Sequence, residues 1–275
     1  MQYSPIGVFD SGYGGLTVLK ELHRALPEYD YLYFGDNARA PYGTRSFDIV
    51  YEYTLECVEQ LFKEGCQLVI LACNTASAKA LRTIQQNDLA KYPGKRVLGV
   101  IRPSAEIVGN YSNSNHIGIL ATEGTVKSNS YPLEISKFYP NLKVSQQACP
   151  MWVPLVENGE YHSEEGKGFI QRDIERFINT YKEIDTIVLG CTHYPLLIPV
   201  IKEFIPSNIQ LLSQGEIVAN ALSDYLERHS WMNEKLSKNG ETNYLTSENP
   251  TIFDEKVMEI LDIKIQSKQI NIEHK

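Results

Sequence analysis

At 275 residues, 43% hydrophobic and 22% charged, the chain has the make-up of a globular protein with one large or two small domains. No apolar run approaches the ~20 residues of a membrane helix, and the opening MQYSPIGVFDSG lacks the basic and apolar regions of a signal peptide, so the cytoplasm is the expected location. A net charge of −8 argues against nucleic-acid binding, but leaves room for a small anion held by backbone N–H groups at helix starts.

Taken in chain order, 6–10 (IGVFD) reads as a strand, followed by a glycine-rich turn and a helix over 16–26. A strand at 29–36 precedes a long amphipathic helix over 46–65 that ends at Gly65. The buried strand 66–73 (CQLVILAC) leads to a helix over 75–88, and 96–101 is the next strand. A second series starts with a helix over 104–112. It continues with strand 116–122, a helix within 126–140, strand 142–149, helix 166–183 and the buried strand 185–191. Helix 195–206 and a short strand at 209–214 close it, and 216–230 is a further helix. The polar stretch 231–244 (WMNEKLSKNGETNY) is expected to be a surface loop or hairpin, and 247–262 to turn helical at Pro250. The last residues, SKQINIEHK, are expected to fray or to lie at an edge. Uninterrupted apolar strands alternating with helices predict parallel sheets covered on both faces. The two series predict an α/β fold of two doubly wound domains with pseudo-symmetry.

Cysteine placement gives the chemistry. The five cysteines are odd in number and form no C-x-x-C, which argues against a disulfide framework and a zinc ribbon. Two of them share a context. LVILACNTAS ends an apolar run in Cys73, Asn74 and Thr75, and IDTIVLGCTHYP ends another in Cys191, Thr192 and His193. Ligands of open parallel sheets sit beyond the carboxyl ends of the strands. Two such ends face to face would place a thiol on each side of one molecule. One thiolate then removes a proton from a carbon while the other thiol donates one to the opposite face, and the configuration inverts. Cysteine pKa falls near helix starts and histidines, which suits both positions. A cysteine at a strand end is otherwise a small core residue, and Cys57, Cys66 and Cys149, which lack the polar followers, are read that way.

Other strand-end loops add polar candidates. FDSGYGGL carries Asp10 and Ser11, with glycines at 12, 14 and 15 that fail the dinucleotide and P-loop patterns. DNARAPYGTRS offers Tyr42 and Gly43, ATEGTV offers Thr122 and Thr125, and VPLVENGEYHS offers Glu157. Bland roles exist for each: a tight turn, a plain loop, helix capping and a solvated carboxylate.

GVFDSGYGGL, PYGTRS, LACNTASA and VLGCTHYPLL, with the late YLTSENPTIF, together resemble the signature segments of bacterial glutamate racemases in order and spacing. That resemblance implies a cofactor-independent, metal-free enzyme that interconverts L- and D-glutamate for peptidoglycan synthesis, commonly as a homodimer. It implies Cys73 and Cys191 as the acid/base pair, Cys73 acting on the D isomer and Cys191 on the L isomer. Asp10 is implied beside the first thiol, and Glu157 and His193 beside the second. Substrate contacts are implied for Asp10, Ser11, Tyr42, Gly43, Asn74, Thr75, Thr122, Thr125, Thr192 and His193. The implied domains are 1–97 plus 213–275, and 98–212, with the active site in the cleft between them. One departure is Ala121, where the family usually has glycine; its methyl is expected to shift Thr122 slightly. Aspartate racemases share the two-thiol logic but usually carry glutamate at the position of His193. The residues alone also admit a two-lobed amino-acid-binding protein, a metal site on Cys73, Cys191 and His193, or a pyridoxal-phosphate enzyme, although no lysine stands at a strand end.

Overall fold

The computed structural model describes residues 4–272. The chain opens with β1 (Ile6–Asp10), α1 (Leu16–Ala25), β2 (Tyr31–Gly35), α2 (Phe47–Lys63), β3 (Leu68–Leu71), α3 (Asn74–Lys79), α4 (Leu81–Thr83) and β4 (Arg96–Gly99). It continues with α5 (Ile101–Ile107), β5 (His116–Ala121), α6 (Glu123–Ser128), α7 (Ser130–Phe138), β6 (Lys143–Ala148), α8 (Trp152–Glu157), α9 (Glu164–Thr180), β7 (Thr186–Gly190), α10 (Ile198–Phe204) and β8 (Gln210–Leu212). The last elements are α11 (Gln214–Arg228), α12 (Ser230–Asn233), β9 (Thr242–Thr246), α13 (Pro250–Leu261) and β10 (Ser267–Gln269).

Two parallel sheets result. The larger runs β10-β9-β2-β1-β3-β4 and the smaller β6-β5-β7-β8. β1, β2, β3, β5 and β7 are buried along their whole length, as expected of strands sandwiched between helices. On the larger sheet, Leu19, Leu22, Leu222 and Phe253 pack over one face, and Val58, Leu61 and Ala76 over the other. On the smaller sheet, Trp152, Ile174 and Phe177 lie in one core and Ile101, Tyr131 and Ile135 in a second. The predicted α/β layering is therefore present in both units.

Several stretches differ from the sequence reading or refine it. Residues 231–244 are no simple surface loop: Met232 and Leu236 are buried, and the segment ends in β9, parallel to β2. β9 has little apolar sequence of its own and is secured by its neighbour. The tail lies at an edge, as one of its two expected outcomes, with SKQ forming the edge strand β10; residues 273–275 lie outside the described residues. α8 was not foreseen because Pro154 interrupts its pattern, although proline is tolerated in a first helical turn. The helix expected within 126–140 divides at Asn129, whose φ of 55° suits an asparagine in the left-handed region. The helix expected over 75–88 is likewise broken, into α3, α4 and a π turn at Ile84–Asp88.

Asp30 anchors the late segment to the start of β2. Its carboxylate accepts from Asn239 N (2.9 Å), Asn239 Nδ2 (2.7 Å) and Glu241 N (3.0 Å). Burial pushes the carboxyl up, but bonds from Ser237, Glu241 and Asn239 outweigh it and hold the pKa below its ordinary value. A depressed carboxylate adds stability above its unfolded pKa of about 3.9, and that stability is lost as pH falls through the folded value. Asp30→Ala is therefore expected to cost about 2–3 kcal/mol at pH 7. In urea unfolding, the gap to the wild type should narrow as pH falls below about 3.9; a gap independent of pH would refute the anchor.

Candidate active site

The carboxyl ends of four strands meet at the junction of the two sheets. β1 ends in Asp10, β3 is followed by Ala72 and Cys73, β5 is followed by Thr122, and β7 by Cys191. Bonds across the junction hold these ends together. Thr192 Oγ1 donates to Asp10 Oδ1 (3.3 Å), Thr17 Oγ1 to the Thr192 carbonyl (2.9 Å) and Gly124 N to the Gly43 carbonyl (2.8 Å). The Thr75 and Thr122 hydroxyls lie 2.9 Å apart. The cleft is closed, leaving Cys73 5% and Cys191 6% exposed.

Cys73 caps α3 in an extended conformation, its Sγ accepting from Ala76 N at 3.4 Å. Ser11 Oγ stands 3.4 Å from the same sulfur. Burial pushes the thiol up to about 12, and the nearby Asp10 carboxylate and Cys191 add to the shift. The sequence expectation of a lowered pKa is thus reversed at Cys73: in the closed cleft, desolvation outweighs the helix start. Asp10 is itself raised by burial. The His193 charge and the bonds from Gly12, Gly15 and Thr192 oppose that rise without cancelling it.

The second thiol has a different setting. His193 Nδ1 lies 3.9 Å from Cys191 Sγ, and its Nε2 lies 3.0 Å from Glu157 Oε1. Burial pulls His193 down, but its bonds to Cys191 and Glu157 prevail and raise it to about 10. The histidine therefore carries its charge between a sulfur and a carboxylate. Gly14 lets the α1 start approach this loop: a Cβ there would fall 2.4 Å from Thr192 Oγ1 and 2.5 Å from His193 Nδ1.

The structure brings most of the sequence-predicted residues to this junction. Thr75, Thr122 and Thr125 form a hydroxyl cluster, with Thr122 and Thr125 3.1 Å apart. The Ala121 methyl does not remove Thr122 from that cluster, because Gly190 stands opposite it. Tyr42 is buried and gives its hydroxyl to Asp36, so this segment meets the other unit through Gly43. Asn74 is bonded to Gln214 and Tyr131. Gln214, Tyr131 and Thr17 were missed from the sequence; none belongs to a local pattern. Cys57, Cys66 and Cys149 are buried free thiols away from these contacts. Among the described residues, no three Cys, His, Asp or Glu side chains are grouped to hold a metal ion. No helix among them is long and apolar enough to cross a membrane.

The model of the Asp/Glu/hydantoin racemases matches residues 6–222. The chain belongs to this family. A glutamate racemase of Geobacter metallireducens is 40% identical over 255 residues, covering 92% of this chain and 91% of the relative. The crystal structure of a Bacillus anthracis glutamate racemase isoform superposes with a TM-score of 0.89 at 32% identity, covering 99% of both chains. A Francisella tularensis glutamate racemase, solved in complex with D-glutamate, superposes with a TM-score of 0.85 at 30% identity, covering 99% of this chain and 98% of that one. In this family member, both sheets and the junction between them lie within the superposed length.

The His193 charge has a testable consequence. A histidine raised from about 6.5 adds stability that is complete below that value, and the stability is lost as pH rises through about 10. Nuclear magnetic resonance titration should find the His193 ring still charged at pH 8. Glu157→Gln removes the supporting carboxylate and should lower the midpoint by a unit or more, roughly. An unchanged midpoint would show that Glu157 does not support the charge.

Proposed function

We propose that this chain interconverts L- and D-glutamate without a cofactor, using Cys73 and Cys191 as paired acid and base. The observation that carries the reading is the pair of thiols at matching strand ends of two opposed sheets, each beside its own polar partner. In the L-to-D direction, the Cys191 thiolate beside the His193 imidazolium takes the α-proton. The substrate carboxylate delocalises the electron pair, and the Cys73 thiol protonates the other face. Cys73 at about 12 suits that donor role. In the reverse direction Cys73 is the base, and Asp10 is the carboxylate whose charge bears on it. General acids and bases of this kind work best when tuned by their surroundings.

Ser11, Asn74, Thr75, Thr122, Thr125, Thr192 and the Tyr42–Gly43 segment supply the substrate contacts in this reading. Admission of substrate requires the Thr75–Thr122 and Gly43–Gly124 contacts to part. The division of strands between the sheets supports two domains, the first completed by the C-terminal segment from 213 on; because β4 belongs to the larger sheet and runs to Gly99, the boundary expected at 97/98 is better placed just after it. Glutamate is favoured over aspartate by His193 and by the glutamate racemases that resemble the chain across nearly its full length. By the same resemblance we assign the enzyme to the cytoplasm, as a homodimer supplying D-glutamate to peptidoglycan.

Cys73→Ser and Cys191→Ser should each lower racemization by about a thousandfold or more, because a serine hydroxyl is too weak an acid to replace either thiol. Circular dichroism should show both variants folded. Full turnover in either variant would defeat the two-thiol reading. Faster turnover of aspartate than glutamate by the wild type would defeat only the substrate assignment.

A further inference from the structure

The chain crosses between the sheets twice, from β4 through α5 to β5 and from β8 to α11. Gln214, the first residue of α11, joins the two crossings. Its Nε2 donates to the Val100 carbonyl (3.0 Å) and to Ser104 Oγ (2.9 Å). Its Oε1 accepts from Asn74 Nδ2 at 2.7 Å, next to Cys73. Asn74 Oδ1 in turn accepts from the Tyr131 hydroxyl at 2.7 Å. Tyr131 belongs to α7 of the smaller unit, and its ring fills the space that a glycine leaves before Cys191. A Cβ on Gly190 would lie 3.2 Å from Tyr131 Cε2. Asn74, Tyr131, Ser104 and Gln214 are all buried. One unbroken relay therefore runs from the crossings to the neighbours of both thiols.

We propose that Tyr131 is a positioning residue that sets the spacing of the two thiols, its ring bearing on the Cys191 loop and its hydroxyl holding the Cys73 loop. Gln214 ties that spacing to the two crossings, so the relay aligns the cleft when the units close. Burial, with the nearby Cys191 charge, raises Tyr131 above its ordinary pKa, so it stays a hydrogen-bond donor throughout the working pH range. A buried network with every member partnered holds a unique geometry. The inference rests on the racemase reading and adds to it a role for residues outside the signature segments.

The test compares a reaction that needs both thiols with one that needs a single thiol. Racemization of glutamate needs both. With 3-chloroglutamate, one thiolate takes the α-proton, a Cα–Cβ double bond forms and chloride leaves with its bonding pair. The enamine product then hydrolyses to 2-oxoglutarate and ammonium. A misplacement of about 1 Å costs on the order of 100-fold in rate, so Tyr131→Phe should lower kcat for racemization about 10- to 100-fold in both directions. KM should stay within about threefold, as expected when alignment rather than binding is lost. Chloride release should also stay within about threefold of the wild type. Gln214→Met, similar in volume, removes the relay from its other end and should show the same split if Tyr131→Phe does not fold. Equal loss of racemization and chloride release, or loss of neither, would overturn the positioning role. A wild type that does neither reaction would overturn the racemase reading itself.

Discussion

Inverting a carbon centre by proton transfer requires an acid and a base on opposite sides of it, held at a separation set by the substrate. In the proposed two-thiol reaction neither sheet meets that requirement alone, since each delivers one thiol from the carboxyl end of one strand. The fold turns the ends of β3 and β7 toward one junction and bonds their flanks together. Asp10 to Thr192, Thr17 to Thr192, and Thr75 to Thr122 all join residues of one unit to residues of the other. These short polar contacts sit where little solvent competes, so geometry and electrostatics are decided at the same place.

The two thiols match in position and differ in electrostatics. At Cys73, burial and the nearby Asp10 carboxylate favour the neutral thiol and outweigh the opposing bond from the Ser11 hydroxyl. Cys191 faces a histidine that its bonds to the sulfur and to Glu157 keep charged. The two thiols therefore lie in unlike electrostatic surroundings in the closed cleft. A pair of equal thiols would have to acquire that difference after substrate bound. Gly14 contributes by keeping Thr192 and His193 against the start of α1, where any side chain would push them apart.

Much of this was legible in the sequence, for a physical reason. Strands buried on both faces must be apolar throughout, so β1, β3, β5 and β7 stand out, and the polar residues that end them mark the site. Asp10, Cys73, Thr122, Cys191 and His193 were found in this way. β9 was hidden because a polar strand can be held by its neighbour, and α8 because Pro154 and its short length mask the helical pattern. Gln214, Tyr131 and Thr17 were hidden for another reason. Their contacts join residues far apart in the chain, such as Asn74 and Gln214, and no local spacing encodes such a pair. The pKa of Cys73 was misjudged because sequence shows the helix start but not the depth of burial.

The most direct test of the central claim is to follow optical rotation and α-deuterium incorporation together, with L-glutamate in D2O containing EDTA and no added cofactor. The two-thiol account predicts that rotation decays toward zero as deuterium enters the product enantiomer at the α-carbon. Rotation that holds while deuterium enters would show exchange on one face only, and would contradict the opposed acid and base on which the account rests.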